Sequence, residues 1–369
     1  MILSRLSLRN FRIHTKTSLN FSDNLNYIVG GNGKGKTSIL EAIYYLCTTK
    51  SFSSKDLEVI NFDQNEFEIK GNLKDITEDD VRIFFSVSEN RKYYFQNEKL
   101  ISRSSQIIGK FPVVVLSPAD HAITQGAPLE RRRFVDSVIS QASSTYLNVL
   151  LDYNKTIKQR AVVLNRLREK RTSDYFDELK AWTQRLVENG VELILHRKKF
   201  IEHFNKYIAD SYIKIMGDNE SPYINYLYLE ENDSIKIKQN FEKLLSEKKE
   251  EEIRRTVNLV GPHRDDFVFS INSINLRTYG SQGQHKTFQT ALRFAEFFYL
   301  KNITGKSPLF LLDDVFGELD AYRAGKISMY LKEVGQAFIT LTDFANFSFL
   351  TKSSNDLIIK LENSEIAYA

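Results

Sequence analysis

A glycine-rich segment that ends in lysine and threonine is the stretch of this sequence best suited to chemistry. It follows the phosphate-binding pattern G-x-x-x-x-G-K-[ST] and contains Gly30, Gly31, Asn32, Gly33, Lys34, Gly35, Lys36 and Thr37, with Ser38 directly after it. Glycine lets successive backbone N–H groups converge on one anion, and a helix that begins here adds its positive dipole end. We therefore expect residues 30–38 to bind the phosphates of ATP.

Two side chains of this phosphate loop (residues 30–37) have distinct predicted roles. Lys36 is expected to reach the β- and γ-phosphates during catalysis, and Thr37 to hold Mg²⁺ through its hydroxyl. Arg12 is a further candidate for a contact with the nucleotide, although a solvated surface arginine fits the sequence equally well. The alternative for the whole loop is a glycine-rich turn without a ligand. The motif predicts a triphosphate but not the use of its energy.

The second half of the predicted site is an apolar run that ends in two aspartates. Leu309–Leu312 precedes Asp313 and Asp314, which is the Walker B pattern. We expect Asp313 to hold Mg²⁺ and Asp314 to polarise the attacking water. The alternative is a strand that ends in a turn, but the pairing with the phosphate loop favours the ATP site.

A serine–glycine sequence begins the strongest predicted helix, which runs from Gln284 to Asn302. Ser281 and Gln284 have the spacing of a capping box, and this alternative is compatible with a functional role. The functional hypothesis is that free N–H groups near Ser281, Gly283 and Gln284 bind the γ-phosphate of ATP. The motif resembles the serine–glycine motif of ABC-type ATPases, and this resemblance implies that the ATP is held by a second subunit.

The order of these motifs resembles the ABC-type ATPases, and this resemblance implies a homodimer in which ATP lies between two chains. Two departures from that superfamily concern hydrolysis. Asp314 stands where glutamate is usual, so we predict slow turnover, well below about 10 s⁻¹. After Thr340 the usual histidine is missing, and either Thr342 or Asp343 takes its place; the choice between them stays open.

The elements that position these motifs form two classes. Alternating strands between residues 2 and 95 predict an antiparallel β-layer, and Phe111–Leu116 predicts a buried strand. The helical period dominates from Asp120 to about Glu252. We therefore predict an α/β fold in one split domain with an inserted helical arm. The resemblance to the ABC-type ATPases implies that the split domain is a P-loop ABC-type ATPase head with a mixed sheet. The head is predicted at residues 1–119 and 254–369, and the arm at residues 120–253.

The arm is predicted to contain a hairpin of two long amphipathic helices joined at Thr172-Ser173, with the second helix broken near Gly190 and Lys198. Basic residues are frequent on the outer faces of the first helix: Lys155, Lys158, Arg160, Arg166, Arg168, Lys170 and Arg171. Such a stripe, together with Arg131–Arg133, fits a DNA backbone, although a charge run is more often a solvated face. The alternative for Arg131–Arg133 is a set of ion pairs across the dimer. Lys155, Lys158, Arg166 and Arg168 are the candidate DNA contacts.

Composition sets limits on the function. The chain has 369 residues, a formal net charge of +4 and one cysteine, so no intrachain disulfide can form and a reducing compartment fits. No apolar run is long enough to span a bilayer, and we expect a cytoplasmic protein without a membrane partner. His263, Asp265 and Asp266 fit no strong metal-ligand spacing, which favours a structural or interface role.

Several motifs together resemble the RecF family. They are Asn10-Phe11-Arg12, the phosphate loop, residues 116–120, residues 126–136, residues 261–266 and residues 313–320, in which the Asp313-Asp314 pair looks normal for that family. The resemblance covers nearly the whole chain and is least specific between about residues 148 and 252.

The RecF resemblance implies a function as well as a fold. It implies an ATP-dependent dimer that binds DNA at single strands or gap junctions, with weak DNA-stimulated ATP hydrolysis for release. It implies RecR-like and RecO-like partners, recombinase loading and support of the SOS response. The alternatives are a head of the chromosome-organising SMC type, which needs longer arms, and a nucleotide-binding subunit of a transporter, which needs a membrane partner.

Overall fold

The structure is a computed structural model that describes residues 1–52, 54–217, 219–228, 233–318, 320–344, 353–362 and 365–368. The chain divides into two compact units. The first comprises Met1–His121, Asp210–Glu220 and Lys286–Ala369, and the second comprises Ala122–Ala209 and Ser221–His285.

The compact units differ from the predicted domain boundaries in two places. Residues 254–285 lie in the second unit, because a strand at Asp266–Ile271 pairs antiparallel with one at Pro222–Leu227. Asp210–Glu220 lies in the first unit, where Tyr212 packs edge-on against Phe288. The division into head and arm as functional domains stays a prediction.

An antiparallel sheet of six strands forms one layer of the first unit, in the order β2-β1-β4-β5-β6-β7. Its strands are β1 (Ile2–Phe11), β2 (His14–Asn20), β4 (Glu66–Lys74), β5 (Glu78–Ser86), β6 (Arg91–Gln96) and β7 (Lys99–Ile101). Burial alternates along the strands, as in Phe67, Ile69 and Leu73 of β4, so one face packs on the core and the other meets solvent. The predicted antiparallel β-layer is confirmed.

A second six-stranded sheet, in the order β15-β14-β3-β13-β12-β8, is parallel except at β15. Its strands are β3 (Leu25–Val29), β8 (Val113–Leu116), β12 (Leu309–Leu312), β13 (Ala337–Leu341), β14 (Leu357–Glu362) and β15 (Glu365–Tyr368). Every residue of β3, β8, β12 and β13 is buried, as the continuous apolar runs predict for strands covered on both faces.

Helices cover these sheets and share their core. The helix after the phosphate loop is α1 (Lys36–Thr48), and near the C-terminus lie α8 (Gln282–Thr304) and α9 (Ala321–Leu331). Ile39, Ile43 and Leu46 of α1 join one continuous core with the inner faces of both sheets. Because α1 begins at Lys36, its packing against both sheets positions the last residues of the phosphate loop.

The second unit is mostly helical. Its long helices are α3 (Pro128–Ala142), α4 (Ser144–Glu169), α5 (Ser173–Met216) and α6 (Ser234–Arg255), with α5 continuing into the first unit. The short elements are α2 (His121–Gln125), α7 (Leu276–Tyr279), β9 (Pro222–Leu227), β10 (Asp266–Ile271) and β11 (Ile274–Asn275). The predicted hairpin of α4 and α5 is confirmed, and Ser143 caps α4 by accepting a hydrogen bond from the Tyr146 amide.

The predicted breaks in the second long helix are wrong, because α5 runs without interruption from Ser173 to Met216. Gly190 permits close packing rather than a break. A Cβ atom there would lie 2.5 Å from Cε1 of Phe241 and 3.3 Å from Cε2 of Tyr153, so only glycine fits between these rings. Lys198 likewise lies within the helix.

Candidate nucleotide-binding site

The phosphate loop, Asp313 and Thr340 meet at the carboxyl ends of the parallel strands. The phosphate loop follows β3, Asp313 follows β12, and Thr340 lies near the end of β13, the strand between them. The carboxyl ends of parallel strands point the same way, and the crevice outside them is where open α/β sheets bind ligands. Strand order therefore brings together residues that lie far apart in the sequence.

The phosphate loop has the backbone conformation that its glycines permit. Gly35 has a φ of 85°, and a Cβ there would lie 2.6 Å from Nε2 of His14. Lys36 lies at the start of α1, and its Nζ donates hydrogen bonds to the carbonyls of Gly30 at 2.6 Å and Gly31 at 3.0 Å. Burial lowers the Lys36 pKa, and Asp314 and Asp313 oppose this shift.

Thr37 and Asp313 are in direct contact. The Thr37 hydroxyl donates to Oδ1 of Asp313 at 2.9 Å, and the Thr340 hydroxyl lies 2.9 Å from the same oxygen. Burial raises the pKa of the Asp313 carboxyl, although the two hydrogen bonds oppose that shift. A hydroxyl beside a carboxylate is a pair of hard oxygen ligands, so the donor set fits Mg²⁺.

Asp314 differs from Asp313 in its surroundings. Its side chain is exposed, its φ is 50°, and its backbone N–H donates to the Thr340 hydroxyl at 2.9 Å. Aspartate adopts this left-handed conformation more readily than most residues, and such conformations are frequent at functional sites. The side chain of Asp314 is thus exposed, whereas that of Asp313, directly before it, is buried.

Arg12 is held by a buried carboxylate. Its guanidinium donates to both carboxyl oxygens of Glu41, at 2.7 and 2.9 Å, and to the Glu58 carbonyl at 2.9 Å. The hydrogen bond to Glu41 is the main cause of a raised Arg12 pKa. Arg12 also lines a cleft of about 620 Å³ together with Thr37 and Ser38. The arginine is therefore fixed beside the start of α1 rather than freely solvated.

A buried ion-pair cluster joins Asp120, which follows β8 in the sequence, to Arg293 and Glu296 of α8. Arg293 of α8 donates to both carboxyl oxygens of Asp120, at 2.6 and 2.9 Å, and to Glu296 at 2.7 Å. One guanidinium thus faces two carboxylates. Burial raises the pKa of the Glu296 carboxyl to about 7, although its pairing with Arg293 opposes that shift.

Ser281 and Gln284 form the capping box that their spacing predicts. The Gln284 amide donates to the Ser281 hydroxyl at 3.2 Å, and the Ser281 amide donates to Oε1 of Gln284 at 2.9 Å. Ser281 is exposed, and Gly283 and Gln284 are half-buried. These residues belong to the second compact unit, and their contact with a nucleotide stays a prediction.

The segment after Thr340 leaves the replacement for the usual histidine open. Thr342 and Asp343 are both exposed beyond the buried end of β13. Within residues 313–320, Leu319 lies outside the described residues, while Asp320 caps α9 by accepting a hydrogen bond from the Arg323 amide at 2.9 Å.

The predicted DNA contacts of the arm are solvent-accessible. Lys155, Lys158, Arg166 and Arg168 are exposed on α4. Arg160 was grouped with the basic outer faces, and this assignment is wrong. Its side chain is 1% exposed, pairs with Glu252 at 2.6 Å and donates to Asn258 at 2.7 Å. The helical period places Arg160 on the buried face, where a paired arginine is structural.

The arginine triplet of α3 is mostly turned inward. Arg131 binds both carboxyl oxygens of Asp266, at 2.8 and 2.9 Å, and Arg132 donates to the Asp265 carbonyl at 2.6 Å. Arg133 is exposed and pairs with Glu130. Arg131 and Arg132 therefore join α3 to Asp265 and Asp266 at the start of β10, and the triplet does not form a continuous basic stripe.

His263 and Asp265 belong to the same internal network. His263 Nδ1 lies 2.8 Å from the Tyr153 hydroxyl and its Nε2 lies 3.0 Å from the Asn258 carbonyl, while Asp265 accepts a hydrogen bond from the Tyr226 hydroxyl. Burial lowers the His263 pKa to about 4, so the ring is neutral near pH 7. No cluster of metal-ligating side chains occurs among the described residues. These contacts favour a structural role, and the choice between a structural and an interface role stays a prediction.

Sequence reasoning missed two residues that contact predicted site residues: Glu41, which binds Arg12, and Thr340, which binds Asp313. Glu41 is a lone acid in an apolar helix, which is a signal for a buried ion pair. Thr340 had no usable signal, because its role depends on β13 lying between β3 and β12.

No helix in the described parts of the chain has the length and hydropathy to cross a membrane.

Comparison with known proteins gives consistent matches. The sequence model of the RecF/RecN/SMC N-terminal domain family matches residues 2–358. The DNA replication and repair protein RecF of Chloroherpeton thalassium is 40% identical over 358 residues, which is 94% of this chain and 96% of that protein. The RecF of Salinibacter ruber is also 40% identical, over 93% of this chain and 85% of its own length.

Solved structures show the same relationship in three dimensions. The recombination mediator protein RecF-ATPrS of the RecFOR pathway has a TM-score of 0.90 and 30% identity, covering 100% of this chain and 98% of its own. An Smc head domain from Pyrococcus furiosus has a TM-score of 0.57 and 15% identity, with 100% and 95% covered, and thus shares the fold. From its sequence motifs, its fold and these matches, the chain belongs to the RecF family, whose fold is the ABC-type ATPase head.

Proposed function

We propose that this chain is an ATP-binding protein of DNA replication and recombinational repair, in which ATP closes a homodimer on DNA and slow hydrolysis releases it. The observation that supports this most strongly is the meeting of Thr37 and Asp313, 276 residues apart, at 2.9 Å beside the phosphate loop. Relatives named as DNA replication and repair proteins, and a structural neighbour named RecF-ATP, support the choice of nucleotide and process.

In this proposal the residues of one subunit bind and orient the triphosphate. Gly30, Gly31, Asn32, Gly33, Lys34, Gly35, Lys36, Thr37 and Ser38 supply amides and side chains to the phosphates. Thr37 and Asp313 would hold Mg²⁺, which neutralises phosphate charge when bound. Asp314 orients and deprotonates the attacking water. Since aspartate has a shorter reach than glutamate, turnover is slow.

Arg12 is assigned to the nucleotide on geometric grounds. Glu41 holds the guanidinium through two hydrogen bonds, so its direction is set before a ligand arrives. The cleft of about 620 Å³ that Arg12 shares with Thr37 and Ser38 is large enough for part of a nucleotide. This arrangement favours a fixed nucleotide contact over a solvated arginine.

The second subunit is proposed to complete the site with Ser281, Gly283 and Gln284. The hydroxyl and amides at the start of α8 would face the γ-phosphate of the partner's nucleotide, so the dimer forms only with ATP. DNA is proposed to lie along Lys155, Lys158, Arg166 and Arg168 of α4, which are exposed. DNA stimulates the weak ATPase in this scheme.

The names of similar proteins support a cellular setting for this proposal. A structural neighbour described as a recombination mediator protein in the RecFOR pathway supports RecR-like and RecO-like partners. We propose that this chain acts with them at single-stranded gaps to promote recombinase loading and the SOS response. This work is proposed to take place in the cytoplasm, where the DNA lies.

Molecular mass in solution tests the proposal. We expect ATP with Mg²⁺ to double the mass of the wild type seen by light scattering. Lys36→Met and Ser281→Arg are expected to stay monomeric, with Tyr322→Ala, an exposed substitution in α9, as the matched control. A wild type that stays monomeric at saturating ATP, with and without DNA, would refute the shared site while leaving nucleotide binding by the phosphate loop intact.

A further inference from the structure

The outer face of the antiparallel sheet has an unusual combination of side chains. Strand register places them in three neighbouring rows across the sheet. The first row is Asn20, Arg5, Asn72 and Asp80; the second is Ser18, Ser7, Lys70, Arg82, Phe95 and Leu100; the third is Lys16, Arg9, Glu68, Phe84 and Tyr93. We call these three rows the outer sheet face.

Positive charge dominates this face. Its rows hold five cations, Arg5, Arg9, Lys16, Lys70 and Arg82, against the two carboxylates Glu68 and Asp80. Arg9 also pairs at 3.4 Å with Glu66, which lies two residues from Glu68 on β4. Glu68 already pairs with both Lys70 and Arg82, at 2.9 and 2.8 Å. In the part of the chain that the structure describes, neither Arg5 nor Lys16 forms an ion pair, and both are exposed. The surplus charge is suited to an anion.

A cleft gives the basic half of the face a defined shape. It has a volume of about 620 Å³, and its lining includes the cations Arg5, Lys70 and Arg82, the carboxylates Asp80 and Glu98, and Phe95. The three cations are suited to the phosphates of a single strand, and the two carboxylates limit how many phosphates the cleft can hold.

The other half of the face is an aromatic platform. The rings of Phe84 and Tyr93 lie 6.4 Å apart, and those of Tyr93 and Phe95 lie 6.5 Å apart, with interplanar angles of 29° and 22°. The guanidinium of Arg82 lies over Phe95 at 4.8 Å, and that of Arg91 lies over Tyr93 at 5.0 Å. The three rings are half-buried, and two of them already stack with a guanidinium, so planar groups fit against this part of the face.

We propose that the outer sheet face is a binding surface for single-stranded DNA. Phosphates lie on Arg5, Lys16 and Lys70, while unpaired bases stack on Phe84, Tyr93 and Phe95. Proteins that bind single strands combine a basic track with aromatic side chains in this way, and duplex DNA cannot use the rings because its bases are already stacked. The proposal rests on the proposed function only in taking DNA as the ligand.

Binding of labelled oligo(dT) by the full chain, measured by fluorescence anisotropy without nucleotide, tests this proposal. Tyr93→Ala and Phe95→Ala are each expected to weaken binding about tenfold, as loss of one base-stacking contact does elsewhere. Tyr93→Phe keeps the ring and is expected to bind as the wild type does. Tyr322→Ala, an exposed aromatic outside the face, is the matched control. Thermal unfolding establishes that each variant is folded.

Salt dependence tests the basic half separately. Arg5→Gln, Lys16→Gln and Lys70→Gln together are expected to reduce the slope of log K against log salt by about 2, since each phosphate contact on a single strand contributes about 0.7. An unchanged slope, or unchanged oligo(dT) affinity in both alanine variants, would overturn the proposal. The proposal would also be overturned if the wild type bound duplex DNA but did not bind oligo(dT). The ATP-dependent dimer is tested by the mass measurement and not by these binding assays. The dimer and the single-strand binding surface can therefore be refuted independently.

Discussion

Glu296 shows how burial and pairing compete within one residue. It is 2% exposed and bonded to Arg293 at 2.7 Å, yet Arg293 also neutralises Asp120. One cation cannot fully compensate two buried carboxylates, so burial dominates and raises the Glu296 pKa from its ordinary value of 4.5 to about 7. The charged form is the less favourable one in the folded protein.

This shift predicts a specific dependence of stability on pH. A carboxyl with a raised folded-state pKa binds its proton more tightly when folded, so its contribution is fully present below about 4.5 and is lost as pH rises to about 7. Glu296→Gln removes this titration. Between pH 5 and 7, the unfolding free energy of the wild type should fall relative to the variant, by about 3 kcal/mol at most.

Urea unfolding across this pH range measures the difference. Glu250→Gln, at a glutamate whose side chain is 66% exposed, is the matched control for loss of one carboxylate and is expected to follow the wild type. Parallel pH profiles for the wild type and Glu296→Gln would show that the carboxyl stays ionised beside Arg293.

At the scale of the element, α5 depends on a residue that local propensity disfavours. Gly190 lies inside a helix of 44 residues, where glycine costs about 1 kcal/mol relative to alanine. Tertiary packing reverses this preference, because Phe241 occupies the place of the missing side chain.

A pair of glycine substitutions separates these two effects. Gly190→Ala is expected to lower the unfolding free energy by about 1–2 kcal/mol, because overpacking costs about 1–3 kcal/mol and outweighs the gain in propensity. Gly325→Ala in α9, where an added Cβ meets nothing within 4 Å, is expected to raise it by about 1 kcal/mol. Denaturant unfolding compares both variants with the wild type. Stabilisation by both substitutions would mean that Phe241 moves aside without cost.

For the whole molecule, charge placement matters more than the net charge of +4. Arg131, Arg160 and Arg293 form internal ion pairs, whereas four other cations of α4 are exposed: Lys155, Lys158, Arg166 and Arg168. Only exposed cations can release counterions from DNA, so the internal arginines contribute to folding and not to the DNA affinity.

The proposed DNA contacts of α4 can be tested by salt dependence on duplex DNA. Lys155→Gln, Lys158→Gln and Arg166→Gln together are expected to reduce the log–log salt slope by about 3, at about 0.9 for each lost phosphate contact. The matched control is the triple glutamine variant of Lys236, Lys238 and Lys243, which are exposed on α6. If the α4 variant keeps the wild-type slope, α4 lies outside the DNA footprint.

Four features could be predicted before the fold was known: the phosphate loop, the strand that precedes Asp313, the antiparallel layer and the α4–α5 hairpin. These depend on short-range patterns: glycine spacing, apolar runs and helical or strand periodicity. The RecF family was also recognisable from motifs, and comparison confirms it.

Two features could be seen only in the folded chain: which polar residues face inward, and which strands become neighbours. Arg160 and Lys158 lie two positions apart in one basic run, yet only Arg160 meets Glu252, which lies 92 residues away. Thr340 joins the site because β13 lies between β3 and β12. Gly190 fits inside a helix because Phe241 packs there. Each outcome depends on a partner distant in sequence, so no local pattern contains it.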